Sequence, residues 1–199
     1  MSIVKSASGS PGRRDEIIEA TIRIVRRKGL AGASIRAIAH EVGQTMGVIT
    51  HHFRDKSDLL CAALGSCFKP WNELIEQSRT IKNPADRLQH VMRATMSGEG
   101  HPVAQMQLWL GMLSQIDHDP QVANAYREQF AQTRADIAEI LEQCDRLGQL
   151  KAGLDLQAEA SHLLALADGL LVSSLGEPER YFERFLMQIM TKQVESLFA

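Results

Sequence analysis

The sequence predicts an all-α protein of about nine helices, with a small N-terminal domain followed by a C-terminal helical bundle. Apolar residues recur every three or four positions along most of the chain, which is the spacing of one helix face. No segment alternates apolar and polar residues at period two, so we expect no sheet. Proline also marks helix starts, because the first helical amide has no partner to lose. The prolines at such positions are Pro84, Pro102, Pro120 and Pro178.

The N-terminal domain is expected to open with an amphipathic helix that runs from Arg13 to a stop at Gly29. Its inward side carries apolar residues and one threonine at helical spacing. These residues are Ile17, Ala20, Thr21, Ile24 and Val25. Residues 1–12 are rich in Ser and Gly, and we expect them to form a flexible arm. The predicted division is therefore an arm at 1–12, a first domain at 13–60 and a second domain at 61–199.

Residues 34–56 are predicted to form two short helices joined at Gly43. Ser34 is a good N-cap, because its hydroxyl can accept a hydrogen bond from an amide of the first turn. Gly43 follows the last apolar position of the first helix, where glycine adopts the left-handed conformation at little cost. Thr45 can cap the second helix, whose buried side includes Phe53. This pattern is typical of a helix-turn-helix, whose second helix enters the major groove of DNA.

The segment from Arg13 to Leu60 resembles the DNA-binding domain of the TetR family of bacterial transcription regulators. The resemblance rests on positions spread over the whole segment, namely Gly29, Ile38-Ala39, Gly43, Gly47, His52-Phe53, Lys56 and Leu59-Leu60. The run from His51 to Lys56 is most similar to the BetI-like subgroup, the regulators of choline and glycine-betaine metabolism. The resemblance implies a ligand-responsive homodimeric repressor that binds double-stranded operator DNA.

Two groups of residues are candidate DNA contacts. The first group is the outward side of the second helix and consists of Gln44, Thr45, Met46, Val48, Thr50, His51 and His52. The second group can reach phosphates through helix amides or positive charge and consists of Ser34, Lys56, Arg13, Arg14 and Arg36. For each single arginine, a solvated surface charge explains the residue equally well.

Gln44 and Thr50 depart from the family pattern, which usually has an aliphatic residue at the first position and often a tyrosine at the second. Gln44 either lies at the rim of the core or pairs with an adenine edge. Thr50 can still donate to a phosphate, over a shorter reach than a tyrosine has. These two positions are where we expect the DNA preference of this chain to differ from that of its relatives.

The charge distribution supports nucleic-acid binding although the whole chain has a net charge of −2. Residues 1–60 contain ten Lys and Arg against six Asp and Glu, whereas residues 61–199 contain twelve against eighteen. A positive end on an acidic body orients a protein on a polyanion and leaves the body free for another task.

The second domain is predicted to contain helices at 56–79, 84–97, 102–116, 120–148, 155–175 and 178–197. Pro70 falls inside the first of these and should bend or break it. The last two helices carry broad apolar faces, which either line the internal core or pair with the same helices of a second chain. The family resemblance implies the second arrangement, a homodimer through 155–175 and 178–197.

A helical bundle with several methionines can also hold an apolar pocket for an inducer between its helices. The candidate lining residues are Met92, Met96, Met106, Trp109, Leu113, Tyr126, Phe130 and His162. Ordinary core packing explains each of them as well, and His162 also fits an interface. A quaternary ammonium ligand favours a cage of aromatic rings. Aromatic residues are only 5% of the chain, and the sequence shows no such cage.

Other functional classes find little support. A helical-bundle enzyme would need a constellation such as repeated Glu-x-x-His, which does not occur, and adjacent His51 and His52 point apart on a helix. We therefore expect no catalytic residues, no metal and no cofactor. A protein-interaction adaptor would explain the apolar C-terminal helices but not the basic first domain. Three cysteines without zinc or redox spacing, and no apolar run that could span a membrane, predict a cytoplasmic protein.

Overall fold

The computed structural model describes residues 12–97 and 103–199, so the predicted arm, apart from Gly12, and Pro102 lie outside the described residues. Within those ranges the chain forms ten α-helices and one isolated antiparallel bridge between Leu150 and Phe198. The all-α prediction is confirmed. The helices are α1 (Arg13–Gly32), α2 (Ile35–Glu41), α3 (Met46–His52), α4 (Lys56–Cys67), α5 (Lys69–Ser78), α6 (Pro84–Met96), α7 (Val103–Leu113), α8 (Pro120–Arg146), α9 (Leu156–Gly176) and α10 (Glu183–Glu195).

The helix predicted at 56–79 is broken near Pro70, as expected. It ends at Cys67, and α5 begins at Lys69 with Pro70 in its first turn. Proline has no amide hydrogen to continue the ladder of α4, but it fits the first turn of a new helix. This break accounts for one helix more than the nine counted from the sequence.

The predicted start of the last helix at Pro178 is wrong. The amides of Arg180 and Tyr181 donate to the Glu177 carbonyl, which closes a single turn. Phe182 then takes an extended conformation with φ −75° and ψ 154°, and α10 starts only at Glu183. An extended residue interrupts the helical hydrogen-bond ladder, so the turn at Pro178 cannot continue into α10.

Two buried clusters organise the chain. The first joins α1 to α4 and includes Leu108 and Met112 of α7 and Val122 of α8. The second fills the bundle formed by α5, α6, α8, α9 and α10. The division at residues 60 and 61 stays a prediction, because helices of the second domain also supply core to the first.

Helix α4 is fixed to its surroundings at its first turn. The Ser57 hydroxyl donates to the Asp119 carboxylate, which also caps the first turn of α8. The Lys56 ammonium donates to the Leu30 carbonyl oxygen of α1 over 3.5 Å. The short segment of α1 after the break at Gly29 is therefore tied to α4, and α4 is tied to α8.

Candidate functional site

The turn between α2 and α3 has the geometry of a helix-turn-helix. Ser34 caps α2, with its hydroxyl oxygen accepting from the Ala37 amide at 3.2 Å. Gly43 has φ +64°, the left-handed conformation that its position predicted. The Gln44 amide then reaches back to the Ala39 carbonyl at 2.8 Å, which satisfies an end carbonyl of α2. Thr45 occupies the N-cap of α3, but its side chain makes no capping hydrogen bond.

Helix α3 presents one side to the core and the other to solvent. Ile49 and Phe53 are buried, at 0% and 1% exposure. The exposed candidates are Thr45, Met46, Thr50 and His51, with Met46 at 55% exposure. The half-buried candidates are Gln44, Val48 and His52. Exposure is what DNA contact requires, and contact itself stays a prediction for all seven.

The two positions that depart from the family differ in their surroundings. Gln44 is half-buried beside the turn, as expected for a residue at the rim of the core. Thr50 is exposed, and its hydroxyl donates within the helix to the carbonyls of Met46 at 3.3 Å and Gly47 at 3.2 Å. A hydroxyl oxygen held in this way still has acceptor capacity, so Thr50 can accept from a base or a water.

The basic candidates have different local partners. Arg14 lies over the Phe53 ring at 4.9 Å, and Arg13 pairs with Glu16 within α1. Arg36 is exposed on α2. Lys56 is half-buried and donates to a backbone carbonyl, as described above. Phosphate contact by any of these cations stays a prediction.

Sequence reasoning missed the ion pairs that hold α2 against α1. Arg27 pairs with Glu41, and Arg23 lies 3.5 Å from the same carboxylate. The hydrogen bond from Arg27 is the largest influence that holds the pKa of Glu41 below its usual range. Glu41 is the last residue of α2, so these pairs set the angle at which the helix-turn-helix leaves α1.

A small cavity of about 50 Å³ lies between helices α4 to α9. It is lined mostly by apolar and aromatic side chains. The lining residues are Cys67, Phe68, Trp71, Met92, Thr95, Met106, Trp109, Phe130, Thr133, Ile137, Leu164, Ala167, Asp168 and Leu171. Binding of an inducer at this place stays a prediction.

Half of the predicted pocket residues line this cavity, namely Met92, Met106, Trp109 and Phe130. Met96 is fully buried in the bundle core instead, and Leu113 lies beyond the cavity near the end of α7. Tyr126 stacks on Phe130 at 4.3 Å and supports that ring from behind.

His162 is mostly exposed and lies 3.5 Å from Glu159, so its predicted place in the pocket is wrong. A helix turns 100° per residue, and His162 lies on the opposite side of α9 from the cavity.

The cavity lining contains four aromatic rings from three separate segments of the chain: Phe68 with Trp71, Trp109, and Phe130. The rings of Phe68 and Trp109 approach Phe130 to 5.6 and 5.9 Å. The Trp71 indole donates to Asp136 over 2.8 Å, which fixes its plane. Aromatic residues that the sequence did not group together thus meet at the cavity.

Asp168 is the one acidic residue among the described residues of the cavity lining. Burial raises the pKa of this carboxyl to about 7, and no neighbouring charge or hydrogen bond opposes the shift. Sequence reasoning did not propose Asp168 as a site residue. The signal for it was a single carboxylate within the apolar run from Leu163 to Leu171.

Comparison with known proteins agrees with this geometry. Residues 17–63 match the model of bacterial regulatory proteins of the tetR family. Residues 84–199 match the C-terminal domain of BetI-type transcriptional repressors. The chain belongs to the TetR family. It is a DNA-binding transcriptional repressor of the BetI type, in a family of regulators rather than enzymes, and the predicted recognition is confirmed.

Individual relatives extend over nearly the whole chain. The regulator PksA of Bacillus subtilis is 25% identical over 194 residues, covering 93% of this chain and 89% of the relative. BetI of Yersinia pestis is 28% identical over 188 residues, covering 93% and 92%. A solved structure described as a transcriptional regulator of Saccharomonospora viridis in complex with choline has a TM-score of 0.83 at 23% identity, covering 94% and 97%. A regulator from Pseudomonas aeruginosa has a TM-score of 0.81 at 27% identity, covering 92% and 88%.

No helix in the described ranges is long and apolar enough to cross a membrane. The described residues also contain no group of three or more His, Cys, Asp or Glu that is suited to a metal ion.

Proposed function

We propose that this TetR-family repressor works as a homodimer that occupies its operator until a small organic cation enters the cavity. The observation that carries the proposal is the combination of aromatic rings and one carboxylate around that space. Aromatic faces attract a quaternary ammonium group, and a buried carboxylate supplies the opposite charge. Choline is the probe of choice, because a solved relative of the same fold holds choline.

The cavity also offers a hydrogen-bond donor to a polar end of the ligand. The Trp109 indole nitrogen is buried beside the Tyr126 phenol but makes no complete hydrogen bond with a described residue. A ligand hydroxyl could accept from it while the ammonium group lies against the rings. A buried donor without a partner costs free energy, so a ligand that satisfies it gains affinity.

On DNA, α3 supplies the readout of bases. We infer that Thr45, Met46, Thr50 and His51 lie in or beside the major groove, with Gln44 at its edge. The cationic side chains of the first domain and the amides at the start of α2 contact phosphates. These contacts position α3 on the DNA but do not discriminate between base sequences. Two copies related by a two-fold axis would place their α3 helices about 34–36 Å apart, one turn of DNA.

The dimer is proposed to form through α9 and α10. One side of α9 carries small and apolar residues that are exposed in the single chain, among them Ala165, Gly169, Val172 and Gly176. A Cβ added at Gly169 or Gly176 would meet nothing within 4 Å. Inside a helix, glycine lowers stability by about 1 kcal/mol relative to alanine, and no contact within the single chain requires glycine at these positions. Close packing of a partner helix would require it.

The cavity and the DNA-binding domain meet at the end of α4. Cys67 ends this helix and Phe68 follows it, and both line the cavity. The other end of α4 carries the contacts of Lys56 with α1 and of Ser57 with α8. A ligand that displaces Phe68 would therefore move α4 and change the spacing of the recognition helices.

A selection of genomic DNA fragments on the purified chain, followed by sequencing, gives the operator. The fragment is then titrated by fluorescence anisotropy at two salt concentrations, with and without choline. The proposal expects one palindromic site, a dimer on sedimentation and weaker operator binding when choline is present. A monomer at micromolar concentration, or operator binding that choline does not change, would contradict it.

A further inference from the structure

The carboxyl group of Asp168 lines the cavity, and the lining residues that the structure describes include no cationic side chain. Its neighbours in the described lining are apolar side chains, aromatic rings and the hydroxyl groups of Thr95 and Thr133. Both threonine hydroxyls donate within their own helices, to the carbonyls of Val91 and Gln129. Asp168 is half-buried. An ionised carboxylate there would lose part of its hydration without gaining a counter-ion from the described lining, which is costly.

Among the described residues, the titratable groups near Asp168 supply no positive charge. On α4, burial raises the pKa of the Cys67 thiol to about 12, so it stays neutral near pH 7. On α8, burial is the main cause that raises the pKa of the Tyr126 phenol, which also stays neutral. Asp136, the remaining carboxylate nearby, is engaged by the Trp71 indole. Helices α5, α6 and α7 contribute only uncharged residues to the described lining.

We propose that a proton and an organic cation compete for the Asp168 carboxylate, so that acidification weakens ligand binding and favours the operator-bound repressor. The inference rests on the proposed cation cavity and adds its regulation. Without ligand, Asp168 is about half protonated at pH 7 and neutral at lower pH, which suits the apolar lining. When the cation enters, the carboxyl proton leaves to solvent and the carboxylate pairs with the positive charge.

Competition sets the sign and size of the effect. Below about pH 7 the cation must displace a bound proton, so its affinity falls about tenfold for each further pH unit. Above that range the carboxylate is already ionised, and affinity no longer depends on pH. A repressor of this kind responds to the ligand most strongly when the surrounding pH is neutral or alkaline.

Tryptophan fluorescence can report the ionisation of the Asp168 carboxyl. It has two tryptophans, Trp71 and Trp109, and both line the cavity with Asp168. Ionisation of a carboxyl group beside indole rings alters their emission, so fluorescence of the unliganded protein reports the titration without any ligand. A variant at Asp168 leaves all seven histidines in place, so a transition that the variant lacks is assigned to Asp168.

The experiment measures tryptophan fluorescence of the unliganded full chain between about pH 5 and 9, and choline affinity by calorimetry over the same range. We expect a transition near pH 7 in the wild type that is lost in Asp168→Asn and kept in Asp168→Glu. Asp136→Asn is the matched control, because it removes the carboxylate that holds Trp71 but should keep the transition. Choline affinity of the wild type should fall about fivefold from pH 7 to 6 and about tenfold more from pH 6 to 5, and it should stay constant in Asp168→Asn.

The two possible failures are distinguishable. Choline binding that does not vary with pH, with no fluorescence transition, would overturn proton competition and leave the cation cavity intact. A transition lost in Asp168→Asn, together with no choline binding at any pH, would overturn the choice of ligand in the proposed function and with it the competition. A transition that persists in Asp168→Asn assigns the titration to another group and also overturns the inference.

Discussion

The DNA-binding face and the ligand cavity are built in opposite ways. The face consists of the exposed side chains of the segment from Ser34 to Lys56, which forms short helices joined by one turn and buries its other side chains partly or fully. The cavity is assembled from six helices, with lining residues from Cys67 to Leu171 that are mostly buried. The DNA-binding face uses side chains that point away from the core, whereas the cavity is lined by side chains that also pack in the core of the bundle.

This difference indicates at which site a substitution can change binding specificity with little loss of stability. Residues on the face can be replaced with little effect on folding, so operator preference is free to vary among relatives. Residues around the cavity support the bundle as well as the ligand, so a change there alters stability and affinity together. The carboxyl group of Asp168 is the exception within the cavity, because it opposes folding when ionised.

Two methionines test the comparison with the same substitution. Met92→Ala, at a cavity side chain with 1% exposure, should lower the free energy of unfolding by about 2–4 kcal/mol through lost packing. Met46→Ala, at 55% exposure on α3, should change it by less than about 0.5 kcal/mol while altering operator affinity. Urea unfolding measures both values. Equal losses in the two variants would show that the face is also part of the core.

The dependence of stability on pH tests the burial of Asp168. Burial raises the pKa of the Asp168 carboxyl from its ordinary value of 3.8 to about 7 in the folded chain. Between these two pH values the carboxyl is protonated in the folded state and ionised in the unfolded state. Stability of the unliganded wild type therefore falls as pH rises from 4 to 7. Asp168→Asn should unfold like the wild type near pH 4 and be more stable above pH 7, by up to about 4 kcal/mol.

Thermal or urea unfolding at several pH values gives this difference directly. Asp117→Asn, at an exposed carboxylate outside the cavity, is the control and should follow the wild type throughout. A constant difference between Asp168→Asn and the wild type at all pH values would mean that folding does not raise the pKa of Asp168.

The smallest effect is expected at the edge of the DNA-binding face. Lys56→Gln should weaken binding to all DNA sequences and lower the slope of log affinity against log salt by about one charge. Lys69→Gln removes the same charge from exposed α5, away from the face, and should leave the slope unchanged. Anisotropy titrations at several salt concentrations measure both. An unchanged slope in Lys56→Gln would mean that its ammonium stays on the Leu30 carbonyl when DNA is bound.

The DNA-binding unit was predictable because its determinants are local. Ser34 and Gly43 act on their own turns, through a cap and a left-handed residue, and neither needs information from distant parts of the chain. The break near Pro70 follows in the same way from a missing amide hydrogen. The contacts from Arg23 and Arg27 to Glu41 were missed because they depend on the angle between two helices.

The cavity was only partly predictable for the same physical reason. Helical periodicity shows that Trp109 and Phe130 face inward, but not that Phe68 and Trp71 meet them across the bundle. The start of α10 depends on the conformation of Phe182, which no local signal marked. The four aromatic residues of the lining come from three segments of the chain and meet only when α5, α7 and α8 pack together.

The most direct test of the link between the two regions is the operator affinity of the wild type and of Asp168→Asn, measured with increasing choline at about pH 8, where Asp168 is ionised. The account predicts that choline weakens operator binding by the wild type and has much less effect on Asp168→Asn, whose DNA affinity without choline is unchanged. Equal responses of the two proteins, or no response in the wild type, would contradict it.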